Sequence, residues 1–300
     1  MKLYGCFDIG GTAIKYGLAD ESGVFADRGE MATEAHAVKG PGIVEKVCLA
    51  VQSWLDGGYE LSGIALSSAG IIDCDEGCIV YAFPENFPDY SGTKWKEQLE
   101  RRFQIPCELE NDVNCAALGE LWLGAGRGKQ SLFAITVGTG IGGCAVEGGR
   151  LIHGAAGSAG EIAYMRVPGG MLQDVASVTR LIAETAEAKG IEPESLNGRQ
   201  VFSRARQGDD AAIVAIDHLA EHLADGIVNI AAILNPQCIV LGGGIMAQKD
   251  YLQPRIEKAV KAKLPPEIWS GMEIAFAELG NDAGMLGALY NLLQRKGFSR

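Results

Sequence analysis

Two glycine-rich turns of the same kind, far apart in the chain, constrain what this sequence can fold into. The first is Phe7-Asp8-Ile9-Gly10-Gly11-Thr12, which continues into Ala13-Ile14-Lys15, and the second is Thr136-Val137-Gly138-Thr139-Gly140-Ile141-Gly142-Gly143. Each turn lies between two short apolar runs, so each is predicted to form the tip of a β-hairpin. Glycines let backbone N–H groups approach an anion, because no side chain stands in the way. Two such turns predict two related halves that bind one polyphosphate, as in a phosphotransferase or an ATPase.

The composition excludes several classes of protein. The 300 residues suit two domains, and 47% hydrophobic with 21% charged residues is ordinary for a chain with a well-formed core. The net charge of -12, without a basic cluster, argues against nucleic acid as a partner. No apolar run approaches the roughly 18–20 residues of a membrane span. Because Met1-Lys2 leads directly into the first strand and the eight cysteines are scattered, we expect a cytoplasmic protein without a signal peptide.

Strands alternate with helices along the chain, which predicts an α/β fold. The second half repeats the plan of the first, so we expect two related domains around a cleft, with a hinge near residues 115–125. The N-terminal domain would comprise 1–117 plus 285–300, and the C-terminal domain 118–284. Strands are predicted at 3–9, 13–19, 24–33, 64–66, 106–109, 132–137 and 238–241, and helices at 41–57, 95–103, 113–123, 211–234 and 285–294.

The second turn also matches the dinucleotide-binding pattern GxGxxG, with Glu161 near the expected acidic spacing. That interpretation requires a helix directly after the glycines. The residues that follow instead predict a strand, a Gly-Gly turn and another strand, so the pattern does not favour a nicotinamide cofactor.

Two aspartates stand where a strand ends, and each has a structural and a chemical interpretation. Asp8 either caps its turn or holds Mg²⁺ beside bound phosphates, directly or through water. Asp112 either caps the following helix or accepts the proton of a hydroxyl that is being phosphorylated. The amides of Asn111 and Asn114 beside Asp112 suit the other hydroxyls of a polyol.

Four linked motifs resemble those of the ROK family of sugar kinases, within the actin-like/hexokinase/Hsp70 ATPase superfamily. The resemblance covers essentially the whole chain and implies the actin-like (ribonuclease H-like) fold, ATP and Mg²⁺ as cofactors, a sugar substrate and a homodimer. The motifs, in order, are Asp8-Ile-Gly-Gly-Thr12, Glu110-Asn-Asp112 with Asn114, Gly138-Thr-Gly-Ile-Gly-Gly143 and Leu241-Gly-Gly-Gly244.

The resemblance also implies residue roles. Asp112 is similar to the general base of the family. The implied sugar-binding positions are Ser68, Gly70, Asn86, Asn111, Glu161 and Tyr164, together with Asp112. The implied nucleotide-binding positions are Asp8, Gly10, Gly11, Thr12, Lys15, Gly138, Thr139, Gly140, Gly243 and Gly244.

One departure from the family pattern concerns zinc. Typical members follow the sugar-binding Glu with Gly-His and a cysteine-rich zinc loop, but Glu161 is followed by Ile162-Ala163-Tyr164 and no cysteine occurs from Met165 to Asp174. Cys74 and Cys78 form a CxxxC, but no His or Cys pair lies near them in sequence to complete a zinc set. We therefore expect no structural zinc. Tyr164 would fill space as a packed tyrosine or bond the sugar through its hydroxyl. Zinc-less branches of the family include β-glucoside kinases and bacterial N-acetylmannosamine kinases.

The favoured function is an ATP- and Mg²⁺-dependent hexose kinase acting on a primary hydroxyl, O6 by resemblance. Glucose, N-acetylmannosamine and a β-glucoside all remain open, and so does the phosphate donor. One alternative is a sugar-sensing regulator of the same family, but we expect no DNA-binding domain, because the first strand is predicted from residue 3 and the net charge is -12. Another is a filament-forming or chaperone-type ATPase, against which the implied sugar residues Asn86 and Glu161 argue.

Overall fold

The computed structural model describes residues 2–297. Contacts between residues divide the chain into two compact units. Unit 1 consists of Met1–Leu123, His153–Ser158 and Asn281–Arg300, and unit 2 consists of Gly124–Ile152 and Ala159–Gly280. The domain boundaries after residues 117 and 284 stay a prediction, because units defined by contacts are not by themselves independently folding domains.

The elements follow one another with short connections. The strands are β1 Leu3–Ile9, β2 Ala13–Asp20, β3 Phe25–Ala32, β4 Leu61–Ser68, β5 Ile71–Asp73, β6 Cys78–Tyr81, β7 Cys107–Asn111, β8 Leu132–Val137, β9 Ile141–Glu147, β10 Arg150–Leu151, β11 Arg166–Val167, β12 Gly170–Met171, β13 Cys238–Gly242 and β14 Glu273–Phe276. The α-helices are α1 Ala35–Asp56, α2 Trp95–Phe103, α3 Asp112–Leu123, α4 Leu172–Ala176, α5 Val178–Lys189, α6 Gly198–Arg206, α7 Asp210–Leu234, α8 Lys249–Lys263, α9 Pro266–Trp269 and α10 Ala283–Arg295. Among these described residues, no helix has the length and apolarity of a membrane span.

The main sheet of each unit has the same strand order. In unit 1 the order is β3-β2-β1-β4-β7, and in unit 2 it is β10-β9-β8-β13-β14. In both, three antiparallel strands are joined to two that run parallel to the central one. The predicted repetition of one plan is confirmed. The sequence patterns located the hairpins and the central strands but did not predict β14.

The central strands of the unit 1 sheet are buried on both faces, and alternate residues of β1 point into two different clusters. Tyr4 and Cys6 belong to a cluster with α10, whereas Phe7 and Ile9 belong to a second cluster with α1. A strand that is covered on both faces needs apolar residues at consecutive positions. This accounts for the nearly continuous apolar runs within β1 and β4. The functional residues are therefore confined to the ends of these strands.

Helix boundaries follow local chemistry. The side chain of Asp209 accepts the N–H of Ala212 at the start of α7, and Asn235, with φ of 43°, ends that helix before Pro236. The helix predicted at 41–57 forms the larger part of α1, and a break at Lys39, with φ of 56°, separates it from a short helical segment that begins at Ala35. Pro41 lies in the first turn after the break, where proline is favoured because an N–H at this position would have no partner within the helix.

Two glycines allow α3 and α10 to cross in close contact within unit 1. A Cβ on Gly119 would lie 2.5 Å from the carbonyl oxygen of Ala283, and a Cβ on Gly287 would overlap the carbonyl oxygen of Cys115. A backbone atom cannot move aside as a side chain can. This crossing therefore requires glycine, and it fixes α3, whose first residue is Asp112.

We expect Gly287→Ala to destabilise the protein by at least about 2 kcal/mol, because the new methyl group forces the two helices apart. Urea unfolding followed by circular dichroism measures the change. Gly271→Ala is the matched control, since its Cβ meets nothing closer than Ile268 O at 3.9 Å. Equal stability of the two variants would show that the crossing relaxes freely.

Candidate functional site

The pairing of three parallel strands brings the predicted unit 1 residues to one end of one sheet. Asp8 of β1 is paired with Ser67 of β4, and Ser67 with Glu110 of β7. One position further, Ser68 is paired with both Ile9 and Asn111. The first glycine turn follows β1 directly, and Asp112 follows β7 directly. A predicted phosphate turn and a predicted catalytic base thus stand at the same sheet edge.

The first glycine turn is held by backbone bonds. Gly10 N donates to Ala13 O at 3.0 Å, Thr33 N donates to Thr12 O at 2.9 Å, and Thr33 Oγ1 donates to Gly10 O at 2.6 Å. Gly11 and Thr12 are exposed. The turn therefore exposes the backbone of Gly11 and the hydroxyl of Thr12 to a ligand, while the carbonyl oxygens of Gly10 and Thr12 accept hydrogen bonds from Thr33.

Asp8 is oriented by its neighbours. Ser67 Oγ donates to Asp8 Oδ1 at 2.7 Å, and Lys15 Nζ lies 4.0 Å from Asp8 Oδ2. Lys15 Nζ also donates to Asn281 Oδ1 at 3.2 Å. Burial raises the pKa of Asp8 above its ordinary value, although the Ser67 hydrogen bond and the Lys15 charge act in the opposite direction. A cation at this carboxylate would further favour its charged form.

The capping of α3 is performed by Asn111. Its Oδ1 accepts the N–H of Val113 at 2.9 Å and that of Asn114 at 3.1 Å. Its Nδ2 donates to Gly70 O at 3.0 Å, which ties the end of β7 to the loop after β4. Asp112, the first residue of α3, accepts the N–H of Val113 at 3.0 Å and is half-buried. The helix-capping role considered for Asp112 is therefore performed largely by Asn111.

The other predicted sugar residues of unit 1 lie at the end of β4 and on the loops that follow β4 and β6. Ser68 Oγ and Tyr90 Oη are 2.8 Å apart, and Tyr90 stacks on Phe87 with ring centroids 5.1 Å apart. Asn86, directly before Phe87, is exposed, and its N–H donates to Phe83 O. The structure thus places Ser68, Gly70, Asn111 and Asp112 together, with Asn86 on the adjoining loop.

Hydrogen bonds of Glu110 and His153 hold the segment that carries Asn111 and Asp112. The sequence did not predict this contact between Glu110 and His153. Glu110 Oε1 accepts the N–H of Asn111 and Nδ2 of Asn114, both at 2.8 Å, and His153 Nε2 lies 2.8 Å from Glu110 Oε2. Burial acts to raise the pKa of Glu110, but bonds from His153 and Asn114 hold it below its ordinary value. The bond to Glu110 raises the pKa of His153. No spacing rule connects residues 43 positions apart.

In unit 2, the second glycine turn joins β8 and β9 and contacts the start of α5. Gly138 N donates to Gly140 O at 2.9 Å, Val178 N donates to Gly138 O at 2.9 Å, and Thr179 Oγ1 donates to Thr139 O at 2.8 Å. A strand, not a helix, follows the glycines. The dinucleotide-binding alternative therefore fails its structural requirement.

The remaining predicted positions of unit 2 lie at two places. Gly243 follows β13 with φ of 102°, and a Cβ there would overlap Val137 O, so this turn requires glycine. Gly244 has open space around it. Glu161 and Tyr164 are exposed, and Tyr164 retains 61% of its accessible surface. The interpretation of Tyr164 as a packed tyrosine is wrong in this unit.

The whole chain matches one family. The ROK family model covers residues 4–295, and the chain belongs to that family. The predicted family and its actin-like ATPase fold, two related α/β units, are therefore confirmed.

Two related enzymes and one crystal structure are similar to this chain over nearly its whole length. A glucokinase of Halalkalibacterium halodurans is 34% identical over 98% of this chain and 96% of its own length. A beta-glucoside kinase of Klebsiella pneumoniae is 31% identical over 98% of this chain and 97% of its own. The crystal structure of a ROK glucokinase from Streptomyces griseus, in complex with glucose and AMPPNP, superimposes with a TM-score of 0.78 and 28% identity over 97% and 99% of the two chains. The predicted enzyme class, an ATP-dependent hexose kinase, is confirmed.

We expect Asn111→Ala to lower the free energy of unfolding by about 1–2 kcal/mol, because α3 loses the side-chain oxygen that caps two backbone N–H groups. Asn111→Ser, which keeps a capping oxygen, is the control and should lose markedly less. Thermal and urea unfolding of both variants measure the difference. If both variants lose the same stability, the contribution of Asn111 does not come from the cap.

Proposed function

We propose that this chain transfers the γ-phosphoryl group of ATP to a hexose hydroxyl, O6 by family resemblance, with Asp112 as the general base. The observation that carries the proposal is the strand register of unit 1. Asp8 and the first glycine turn stand at the sheet edge that also presents Asn111 and Asp112. Phosphoryl transfer needs these two kinds of group near each other, one for the donor phosphates and one for the acceptor hydroxyl.

On this proposal, the donor is held by backbone amides and by hydroxyl groups. Gly10, Gly11 and Thr12 supply the first turn, and Gly138 to Gly140 the second, with Lys15 and Gly243-Gly244 as further nucleotide positions. Asp8 fits a magnesium ion, because its donors are hard carboxylate oxygens and Ser67 fixes their direction. When bound, Mg²⁺ would neutralise charge on the phosphates.

Asp112 would accept the proton of the attacking hydroxyl. One carboxylate oxygen accepts a backbone N–H of its own helix, which fixes the side chain at the first turn of α3. Asn111, Ser68, Gly70 and Asn86 would orient the ring through its other hydroxyls, and Glu161 and Tyr164 are the unit 2 candidates. Because the carboxylate is already fixed, it loses little conformational entropy when the sugar binds. The reacting groups are then held in position for phosphoryl transfer.

The sugar is open among glucose, N-acetylmannosamine and a β-glucoside. The relatives named above are glucokinases and a beta-glucoside kinase. The absence of a zinc ion after Glu161 stays a prediction. Sequence identity of 31–34% to both kinds of kinase does not favour one acceptor. The regulator alternative is not favoured, because these full-length relatives are kinases.

We expect Asp112→Asn to lower kcat by about 10²–10⁴-fold with a smaller change in KM, because the amide cannot accept the proton. Coupled release of ADP from Mg·ATP in the presence of sugar measures the rate. Asp89→Asn is the control. Asp89 is exposed with φ of 55°, a conformation that Asn adopts readily, so this variant should keep the parent's rate. An Asp112→Asn enzyme as fast as the parent would remove Asp112 from the base role.

A panel of acceptors in the same assay identifies the substrate. It contains glucose, mannose, fructose, allose, N-acetylmannosamine, N-acetylglucosamine and cellobiose, with a blank that lacks sugar. Turnover restricted to one acceptor, and lost in Asp112→Asn, is the expected outcome. ADP release of equal rate in the blank would instead favour an ATPase that does not act on sugars.

A further inference from the structure

Three side chains with metal-binding atoms meet in unit 1, outside the predicted nucleotide and sugar positions. Cys74 Sγ lies 3.1 Å from Glu110 Oε2 and 3.7 Å from His153 Nε2, and the latter two atoms are 2.8 Å apart. Cys74 follows β5, Glu110 belongs to β7, and His153 begins the short segment His153–Ser158. Three separate parts of the chain thus direct a sulfur, an oxygen and an imidazole nitrogen at one point.

The spacing of these atoms approaches that of ligands around zinc. Bonds of about 2.3 Å to sulfur, and about 2.0–2.2 Å to nitrogen and oxygen, place tetrahedral ligands about 3.3–3.6 Å apart. Each observed separation is within about 0.5 Å of the corresponding value. The two distances to Glu110 Oε2 are the ones shorter than these values, so these two contacts would lengthen when an ion binds.

The surroundings suit an ion with three protein ligands. Glu110 and Cys74 are 1% and 9% exposed, whereas His153 is partly exposed at the wall of a cavity of about 460 Å³. A cavity of this size has room for water as a fourth ligand. The nearest cation, Arg295, is occupied by carboxylates, since its Nη2 lies 2.6 Å from Asp75 Oδ1 and its Nε lies 3.0 Å from Glu108 Oε2.

We propose that Cys74, Glu110 and His153 bind one Zn²⁺ ion, with water from the cavity as the fourth ligand. A donor set of a thiolate, an imidazole and a carboxylate binds zinc in preference to magnesium or calcium. On binding, the Cys74 thiol releases its proton to solvent. This position is separate from the family's zinc loop after Glu161, whose ligands are replaced here. The other oxygen of Glu110 accepts the N–H of Asn111 and Nδ2 of Asn114, so the ion would brace the segment that carries Asp112.

The competing explanation is a hydrogen-bonded trio without an ion, in which the thiol and the imidazole both donate to Glu110. Two conservative variants separate the explanations. Cys74→Ser and His153→Gln retain a hydrogen-bonding group toward Glu110 but remove a strong zinc ligand. Cys78→Ser is the matched control, because Cys78 lies four residues further along the chain and outside the cluster.

The full-length protein is reduced with a phosphine, freed of metal with a chelator, and titrated with Zn²⁺ against a chromophoric competitor. We expect one ion per chain and a rise in melting temperature for the parent and for Cys78→Ser. Cys74→Ser and His153→Gln should bind at least about 100-fold more weakly, since loss of even an outer partner costs about 10–100-fold. Metal-free melting shows whether each variant is folded. Co²⁺ substitution should give the parent a sulfur-to-metal charge-transfer band that Cys74→Ser lacks.

Two results would overturn the proposal. One is a parent protein that takes up no zinc, which would leave the hydrogen-bonded trio as the explanation. The other is zinc binding of equal strength in the parent, Cys74→Ser and His153→Gln, which would place the ion elsewhere. Neither result depends on phosphorylation of a sugar, so the kinase proposal stands or fails separately.

Discussion

The parallel pairing of β1, β4 and β7 is the constraint on which the unit 1 site depends. Parallel strands end at the same sheet edge, so the strand ends that carry Asp8, Ser68 and Asn111 lie side by side although they are far apart in sequence. Ser67 then orients Asp8, and Asn111 connects the start of α3 to Gly70. The contact between α3 and α10, made possible by Gly119 and Gly287, holds that helix in place. Of the residues proposed for the acceptor in this unit, all except Asn86, which lies on a separate loop, are held by this arrangement.

The main sheet of unit 2 has the same strand order as that of unit 1. Its glycine turn lies between β8 and β9, and the backbone of Gly138 and Thr139 accepts bonds from the start of α5. Gly243 approaches Val137 too closely for any side chain. Two copies of one topology thus provide two backbone-lined turns. The residues proposed for the acceptor lie mainly in unit 1, and Glu161 and Tyr164 of unit 2 stay predicted sugar positions.

Much of the fold could be predicted because the decisive patterns are local. The strand at 132–137 and the helix at 95–103 have the predicted limits, and the helix at 211–234 differs by one residue. Prediction was poorer where packing decides the outcome. The short helical segment from Ala35 to the break at Lys39 was not predicted, and tertiary contacts hold the chain at the break, since Gly40 N donates to Pro88 O and Lys39 pairs with Asp89.

The sequence by itself determined the two glycine turns, the α/β plan and the positions of Asp8 and Asp112 close to the ends of two strands. These follow from short-range rules: glycine permits close backbone approach, and alternating apolar residues form strands. Only the tertiary structure decided that Asn111 caps α3, that Tyr164 is exposed, and that Cys74, Glu110 and His153 meet. The CxxxC of Cys74 and Cys78 has no partner histidine nearby in sequence, yet folding brings His153 within 3.7 Å of Cys74. The physical reason is that contacts between distant segments are set by strand register and core packing, which no local spacing contains.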